Sequence, residues 1–131
     1  MLRKLMILSL LSSLFGCGGD GKPSLLSDTG YHVGEEKVWY KTSNGITYTV
    51  TEVIGADARS FAIRELNSKI YKGTSAYYGF DDKSIFWAAT KIEGADLLSF
   101  EYLCNQYSRD KNAVYYMAQE LTRDLAHLEI V

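Results

Sequence analysis

One short pattern occurs three times in this chain: an acidic or polar turn followed by a β-branched residue and two aromatic residues. It reads "GEEKVWY" at residues 34–40, "DDKSIFW" at 81–87 and "DKNAVYY" at 110–116. β-branched and aromatic residues favour strands, and self-similarity along a chain is typical of a repeated supersecondary unit. The sequence therefore predicts three equivalent strands, each entered through a turn.

The similarity extends to both sides of these triplets. A tyrosine stands three residues before each turn, at Tyr31, Tyr78 and Tyr107. Downstream, three further segments align: "GADARSF" (55–61), "GADLLSF" (94–100) and the weaker "RDLAHL" (123–128). We predict three copies packed as one domain over residues 31–131, because about 100 residues can bury one modest core. The copies span about 31–77, 78–106 and 107–131.

Each copy is predicted to contain a β-hairpin. In copy one, Asn44-Gly45 lies between two β-rich runs and indicates a type I′ turn, which requires positive φ at both central residues. The alignment places shorter hairpins near Ala88-Ala89 in copy two and Met117-Ala118 in copy three. A helix is the alternative for copy three, because its apolar residues also share one helical face. These residues are Val114, Met117, Leu121, Leu125 and Leu128.

An aspartate follows each predicted hairpin, at Asp57, Asp96 and Asp124. Each is expected to accept a hydrogen bond from the backbone N–H two or three residues on, and so to cap one short helical turn. The predicted fold class is therefore β-rich α+β: three repeats of a β-hairpin plus a short capped helical turn. The alternative role for these aspartates, metal ligation, lacks a motif. Residues 110–112 begin like a calcium loop without its remaining ligands, and no metal or cofactor is predicted.

Strand alternation divides the aromatic residues of the triplets between two faces. One set, Tyr40, Trp87 and Tyr116, is predicted to be a core ladder. The other set is Trp39, Phe86 and Tyr115. It is expected either to be core, covered by the capped turns, or to be an exposed binding ladder for sugars or proteins.

The start of the chain resembles a bacterial lipoprotein signal. Arg3 and Lys4 precede an apolar stretch over residues 5–15 that is too short to span a bilayer. Leu14-Phe15-Gly16-Cys17 resembles a lipobox, so we predict a signal peptide over residues 1–16 and acylation, such as palmitate, at Cys17. Residues 17–30 are rich in Gly, Ser and Asp and are expected to be a flexible tether. The alternative is an ordinary secretory signal with an incidental cysteine.

These features place the protein in the cell envelope, anchored to a membrane by its N-terminal lipid. Gly18, rather than aspartate, follows Cys17, which in a Gram-negative host indicates the outer membrane, facing the periplasm. Loss of residues 1–16 leaves 12 basic residues against 16 acidic ones. Because no Lys or Arg cluster is present, nucleic acid is excluded as a partner. Cys104 would be the remaining thiol, either buried and inert or bridged to another molecule.

No catalytic motif is recognisable by spacing. His32 and His127 have no partner motif, and phosphate loops, Cys-x-x-Cys pairs and serine elbows are missing from the sequence. We therefore expect a protein that is not an enzyme: a non-catalytic binding or structural module whose partner is an envelope protein or a glycan. The alternative is an immunity or inhibitor lipoprotein that blocks a toxin outside the inner membrane.

The segments "YSRDKNAVYY", "YGFDDKSIFW" and "GAD..SF" resemble the repeat of the DKNYY family of bacterial, often lipid-anchored proteins. The resemblance covers residues 31–131 and is close for copies two and three. It is distant for copy one, where Gly34-Glu35-Glu36 replaces the acidic turn. The family pattern has a glycine-containing turn that is missing near residues 88 and 117. The resemblance implies a location and an architecture, without an established activity.

Overall fold

The computed structural model describes residues 20–125. This part of the chain forms ten short β-strands and no α-helix. The strands are β1 (Gly30–Val33), β2 (Val38–Ser43), β3 (Tyr48–Glu52), β4 (Tyr78–Phe80), β5 (Ile85–Trp87), β6 (Thr90–Lys91), β7 (Glu101–Cys104), β8 (Tyr107–Arg109), β9 (Val114–Tyr116) and β10 (Gln119–Thr122). Among residues 20–125, no helix is long and apolar enough to cross a membrane.

The strands form three small antiparallel sheets. Their strand orders are β1-β2-β3, β4-β5-β6 and β7-β8-β9-β10. In each sheet a tyrosine pairs with the last residue of the aromatic triplet: Tyr31 with Tyr40, Tyr78 with Trp87, and Tyr107 with Tyr116. The β-rich class that the sequence predicts is confirmed by these sheets.

The predicted helical turns after the hairpins are β-turns instead. Ala56 donates its amide to the Val53 carbonyl at 3.3 Å, and Ser60 donates to the Asp57 carbonyl at 3.2 Å. The chain does not continue as a helix because Ala62 exchanges backbone hydrogen bonds with Phe80 at 2.8 and 2.9 Å. This bridge draws the segment into an extended conformation beside the second sheet, so the α component of the predicted class is wrong here.

Two-residue turns close the hairpins of the second and third sheets. Trp87 pairs with Thr90 across Ala88-Ala89, and Tyr116 pairs with Gln119 across Met117-Ala118. The strands β9 and β10 therefore occupy the region where a single helix was the alternative. Ala88 and Met117 adopt φ values of 51° and 54°. Positive φ is costly for residues with a Cβ, so both turns carry local backbone strain.

Replacing Ala88 with glycine should relieve this strain. We expect Ala88→Gly to raise the free energy of unfolding by about 0.5 kcal/mol, since the gain at positive φ exceeds the extra chain entropy of glycine. Ala89 is not at positive φ, so Ala89→Gly is the matched control and should lower stability by about 0.5 to 1 kcal/mol. Urea denaturation of the two variants measures the difference. Equal destabilisation by both would contradict the strain.

The hairpin of the first sheet is built differently from its prediction. Ser43 pairs with Tyr48, and the Asn44 amide donates to the Thr47 carbonyl at 3.1 Å, so Gly45 and Ile46 are the central residues. Only Gly45 has positive φ, at 89°. The type I′ turn centred on Asn44-Gly45 is therefore wrong. The Asn44 side chain shifts the turn by one residue, because it accepts hydrogen bonds from the amides of Ile46 and Thr47.

Buried side chains form two hydrophobic clusters, and the middle sheet contributes to both. One cluster joins it to the first sheet and contains Val38, Tyr40, Val53, Ala58, Phe61 and Phe86. The other joins it to the third sheet and contains Leu66, Tyr78, Phe80, Ile85, Ile92, Phe100, Ala113 and Tyr115. Ile85 and Phe86 are neighbours in β5 and enter different clusters, as strand alternation requires. The middle sheet therefore buries both of its faces.

Residues 20–30 pack against the first sheet, which differs from the flexible tether predicted for residues 17–30. The Trp39 indole donates to the Asp20 carbonyl at 2.6 Å. Pro23 is buried, and a Cβ at Gly21 would lie 2.5 Å from the Gly34 Cα. Glycine here allows two backbone segments to approach closely. Cys17 and the rest of residues 1–19 lie outside the described residues.

Candidate functional site

The predicted binding ladder of Trp39, Phe86 and Tyr115 is not an exposed surface. Phe86 and Tyr115 are 0% and 1% exposed. Phe86 packs beside Phe61 in the cluster that joins the middle sheet to the first sheet. Tyr115 packs in the cluster that joins the middle sheet to the third sheet. Trp39 is half-buried because residues 20–22 lie over it, with the Lys22 ammonium 5.5 Å from its ring. The middle residue of each triplet therefore packs toward the segment that precedes its sheet.

The predicted core ladder divides differently. Tyr40 is buried against Tyr31, with ring centroids 4.7 Å apart. Trp87 and Tyr116 are only half-buried. Strand alternation correctly separates the two faces, but it does not indicate which face a neighbouring sheet will cover. In the second and third sheets the first two residues of the triplet are buried, whereas the third is only half-buried.

The acidic turns of copies two and three hold the sheets together. The buried Asp81 carboxylate accepts hydrogen bonds from the amides of Lys83 and Ser84 in its own turn, at 2.9 and 2.6 Å. Its second oxygen accepts the amide of Asp57 at 2.9 Å. Asp57 lies in the Gly-Ala-Asp turn that follows the first sheet. Asp81 therefore joins the turn between β4 and β5 to the turn that follows the first sheet.

Asp110 makes the corresponding hydrogen bonds in the turn between β8 and β9. It accepts the amides of Asn112 and Ala113 at 2.7 and 2.9 Å, and the amide of Asp96 at 2.6 Å. The Tyr115 hydroxyl adds a fourth hydrogen bond at 2.8 Å. Burial raises the pKa of the Asp110 carboxyl, but these four donors outweigh burial and lower its pKa below the ordinary value.

We call each pair of turns joined by Asp81 or Asp110 a junction. A serine and a second acidic residue add further hydrogen bonds to each junction. Asp57 accepts the amide of Arg59 and the hydroxyl of Ser60, and the Ser60 oxygen accepts the amide of Asp82 at 3.0 Å. In the next junction Asp96 accepts the amide and hydroxyl of Ser99, whose oxygen accepts the amide of Lys111 at 2.9 Å.

The predicted caps Asp57 and Asp96 thus hold β-turns rather than helical turns. For Asp124, the amides two and three residues on lie outside the described residues. The role of these four carboxylates, Asp57, Asp81, Asp96 and Asp110, is structural, because each accepts hydrogen bonds from backbone amides or hydroxyls within the fold.

Two tyrosines provide a second connection between neighbouring sheets. The Tyr31 hydroxyl donates to the carbonyls of Tyr77 and Ala88 at 3.0 and 2.8 Å. The Tyr78 hydroxyl donates to the Gln106 carbonyl at 3.2 Å. Burial raises the pKa of both phenols far above the ordinary value. Both side chains are therefore neutral hydrogen-bond donors and are unsuited to acid–base chemistry near neutral pH.

The remaining groups of possible catalytic or metal-binding use are dispersed. Within residues 20–125, no group of three or more His, Cys, Asp or Glu side chains could hold a metal ion. His32 contacts the Asp28 carbonyl at 2.7 Å, and His127 lies outside the described residues. Cys104 is half-buried rather than fully buried.

Exposed aromatic pairs lie beside the half-buried triplet residues. Tyr77 stacks on Trp87 with the ring planes 7° apart, and Tyr107 packs on Tyr116 with ring centroids 4.7 Å apart. Tyr77 and Tyr107 are 45% and 39% exposed. Gln106 links the two pairs, because its side chain accepts the Trp87 indole N–H at 2.9 Å and it precedes Tyr107. We call Tyr77, Trp87, Tyr107 and Tyr116 the paired-aromatic surface.

Sequence reasoning missed the role of Lys41. This side chain is 3% exposed, and its ammonium donates to the carbonyls of Ser24, Leu25 and Ser27 at 2.7, 3.0 and 2.6 Å. A buried ammonium is costly unless its hydrogen bonds are satisfied. Lys41 follows Tyr40 in β2, and no motif in the sequence marks this lysine as buried, so its structural role was not predicted.

The comparisons with known proteins agree with the motifs of copies two and three. Residues 78–127 match the model of the DKNYY family. The resemblance to that family is confirmed for this segment. A search of curated proteins found no match, and neither did a search of solved structures. The matched segment contains both acidic turns built on Asp81 and Asp110, and it begins where the distant copy one ends.

Proposed function

We propose that the protein is a lipid-anchored envelope protein in which a rigid non-catalytic domain binds a partner close to the membrane. The observation that carries this proposal is the packing of residues 20–30 on the first sheet, directly after the lipobox-like segment ending at Cys17. Two residues, Gly18 and Gly19, separate Cys17 from Asp20, the first residue that the structure describes. Two residues later, the Lys22 ammonium already lies over the Trp39 ring. Such a connection suits a domain held at a membrane surface.

The domain is, in this proposal, one supersecondary unit used three times. The equal registers of the three sheets support it, since the Tyr31, Tyr78 and Tyr107 pairings fall at equivalent positions. The matching hydrogen bonds of Asp81 and Asp110 support it further. Copy one has Gly34 at the corresponding position, and there the backbone of Gly21 occupies the adjacent space.

The paired-aromatic surface is the proposed contact with an envelope protein or glycan. Tyr77 and Tyr107 offer flat, amphipathic rings whose orientation is fixed by stacking on Trp87 and Tyr116. Such rings supply large contact area at low entropic cost. This surface replaces the Trp39, Phe86 and Tyr115 ladder, whose burial leaves it unable to meet a partner.

The anchor is tested by metabolic labelling with an alkyne fatty acid. We expect the wild-type chain to be labelled and to sediment with membranes, because several acyl chains together bind a bilayer firmly. Cys17→Ser should abolish the label and move the protein to the soluble fraction, whereas Cys104→Ser should change neither. Membrane sedimentation of an unlabelled Cys17→Ser chain would contradict the lipid anchor.

The contact surface is tested in the same cells by crosslinking and mass spectrometry. A partner captured by the acylated wild type should be lost from Tyr77→Ala/Tyr107→Ala. Tyr71→Ala is the matched control, because Tyr71 is similarly exposed at 38% and lies outside the paired-aromatic surface. Equal capture by all three proteins, with equal thermal unfolding temperatures, would overturn the assignment of this surface.

A further inference from the structure

The middle residue of each aromatic triplet is covered by chain that precedes its sheet. Phe86 packs beside Phe61, which lies in the segment that follows the first sheet, with ring centroids 5.7 Å apart. Trp39 is the equivalent residue of the first sheet, and no sheet precedes it in the described part of the chain. Residues 20–30 cover it instead, since the Asp20 carbonyl accepts the indole N–H at 2.6 Å. We call residues 20–30 the strap.

The strap also occupies the position of a turn from a preceding sheet. In the second sheet the Asp81 carboxylate accepts the amide of Asp57 from such a turn at 2.9 Å. Gly34 stands at the equivalent position of the first sheet, and a Cβ at Gly21 of the strap would lie 2.5 Å from the Gly34 Cα. The strap backbone therefore lies where a side chain at position 34 and a neighbouring turn would meet.

At the hairpin end of the first sheet the strap replaces a third contact between sheets. The Ala88 carbonyl of the second sheet accepts the Tyr31 hydroxyl of the first sheet at 2.8 Å. Lys41 stands at the position of Ala88 in the first sheet, because each residue directly follows its aromatic triplet. The Lys41 ammonium donates to the strap carbonyls of Ser24, Leu25 and Ser27. The strap thus lies on three points of the first sheet that correspond to contacts between sheets.

The strap is held by polar contacts that the two junctions do not use. The Trp39 indole and the Lys41 ammonium both donate to backbone carbonyls of the strap, whereas the junctions use a carboxylate and amides. An array of stacked units needs a terminal unit that covers its open end, because an uncovered end can pack on another molecule. The strap therefore ends the stack of sheets at the first sheet.

The third sheet presents the surface that the first two sheets use to contact their successors. Tyr107 pairs with Tyr116 at the position where Tyr31 pairs with Tyr40. Tyr31 and Tyr78 each donate a hydroxyl hydrogen bond to a carbonyl of the following hairpin. Tyr107 is 39% exposed, although it is the equivalent residue. Every molecule therefore carries the tyrosine that would contact an uncovered first sheet.

We propose that the strap prevents head-to-tail stacking of this chain, because it occupies the face of the first sheet on which the third sheet of a second copy would pack. Such a contact joins two different surfaces, so it would not close and would extend into a filament. A second copy is the partner that fits, since its third sheet continues the series of sheet-to-sheet contacts within one molecule. The inference does not depend on acylation of Cys17.

The test opens the strap in the full chain, purified in an excess of detergent micelles. Gly21→Ala places a Cβ against the Gly34 Cα and should lift the strap from Trp39. Lys41→Met removes the ammonium that binds three strap carbonyls and provides a second way to open it. Gly30→Ala is the matched control, because Gly30 also has positive φ, at 102°, but a Cβ there meets nothing within 4 Å.

Opening of the strap is measured at Trp39 in a Trp87→Phe background, in which Trp39 is the one tryptophan of the chain. We expect acrylamide to quench its fluorescence about threefold more in Gly21→Ala and Lys41→Met than in the wild-type strap, because local opening exposes the ring. Gly30→Ala should leave the quenching unchanged.

Stacking is measured by amine crosslinking of a mixture of ¹⁴N- and ¹⁵N-labelled protein. In the proposed contact the turn that contains Lys111 of one molecule lies beside the turn that contains Lys37 of another, and both lysines are exposed. Crosslinks of mixed isotope between Lys37 and Lys111 should form in the opened variants and be lost when the strap is closed. Adding Tyr107→Ala should abolish them, whereas Tyr71→Ala, at a residue that is 38% exposed, should not.

Each other result counts against the strap as a block to stacking. An exposed Trp39 without crosslinks between molecules would overturn the proposal, as would crosslinks that survive Tyr107→Ala. Equal crosslinking of the wild type would show that the strap does not block the contact. If neither Gly21→Ala nor Lys41→Met exposed Trp39, the strap would not be a removable cover. All of these results are independent of the lipid anchor, so a failure here leaves the proposed function standing.

Discussion

Asp110→Ala is expected to lower the free energy of unfolding by about 3 kcal/mol. The substitution removes the acceptor of three amides and one hydroxyl, and a buried donor without a partner costs about 1 to 3 kcal/mol. Lys111→Ala is the control, because its side chain is exposed and only its amide takes part in the junction. Chemical denaturation of both variants measures the effect. A loss below about 1 kcal/mol for Asp110→Ala would contradict the central role of this carboxylate.

The effect of Asp110 should also depend on pH. Its pKa in the folded protein lies below the ordinary value of 3.8, so the unfolded chain takes up the proton first as the pH falls. The stability contributed by the ionised carboxylate is therefore complete above the unfolded pKa and is lost as the pH falls through the folded pKa. We expect the difference in unfolding free energy between wild type and Asp110→Asn to be constant from pH 7 to 5. It should shrink below pH 4.

The local β-structure could be predicted from the sequence because it depends on neighbouring residues. The triplets ending in Tyr40, Trp87 and Tyr116 form strands, and the turns at Ala88 and Met117 fall where the alignment places them. The acceptor geometry of Asp57 and Asp96 is also local, since their donors are two or three residues away. What failed was the helical conformation. After Asp57, a tertiary backbone bridge between Ala62 and Phe80 holds the chain in an extended conformation instead.

The candidate site depended on contacts that sequence spacing does not contain. Phe86 and Tyr115 were recognised as one face of a ladder, but their burial requires a second sheet against each. Asp81 and Asp110 were treated as residues of polar turns, although each also accepts an amide from the preceding copy. Copies two and three have an aspartate at this position, Asp81 and Asp110, whereas copy one has Gly34. This difference was the signal in the sequence that could have indicated the contact between turns. An acidic residue that recurs after a Gly-Ala-Asp turn indicates a pair of interacting elements.

The close packing of Phe61 makes Gly79 the glycine with the strictest requirement for space inside the core. A Cβ at position 79 would lie 2.2 Å from Cζ of the Phe61 ring. That ring is confined by Tyr31 and Phe86, with centroids 4.9 and 5.7 Å away. We expect Gly79→Ala to lower the free energy of unfolding by about 2 kcal/mol, because overpacking forces the ring and its neighbours to move. The requirement is specific to this junction, since the equivalent position of the third sheet holds Ser108.

A double-mutant cycle distinguishes a clash with the Phe61 ring from a general intolerance of β4 to any side chain at position 79. Phe61→Leu shortens the side chain above Gly79 and should itself cost about 1 to 2 kcal/mol through lost packing. In that background Gly79→Ala should cost at least about 1 kcal/mol less than in the wild type, since residues in contact are not additive. Urea denaturation of the four proteins gives the coupling energy. If the losses in the free energy of unfolding were additive, the strain would lie in the backbone of β4 and not in a contact with Phe61. The Phe61 ring would then not explain why the middle sheet needs glycine at position 79.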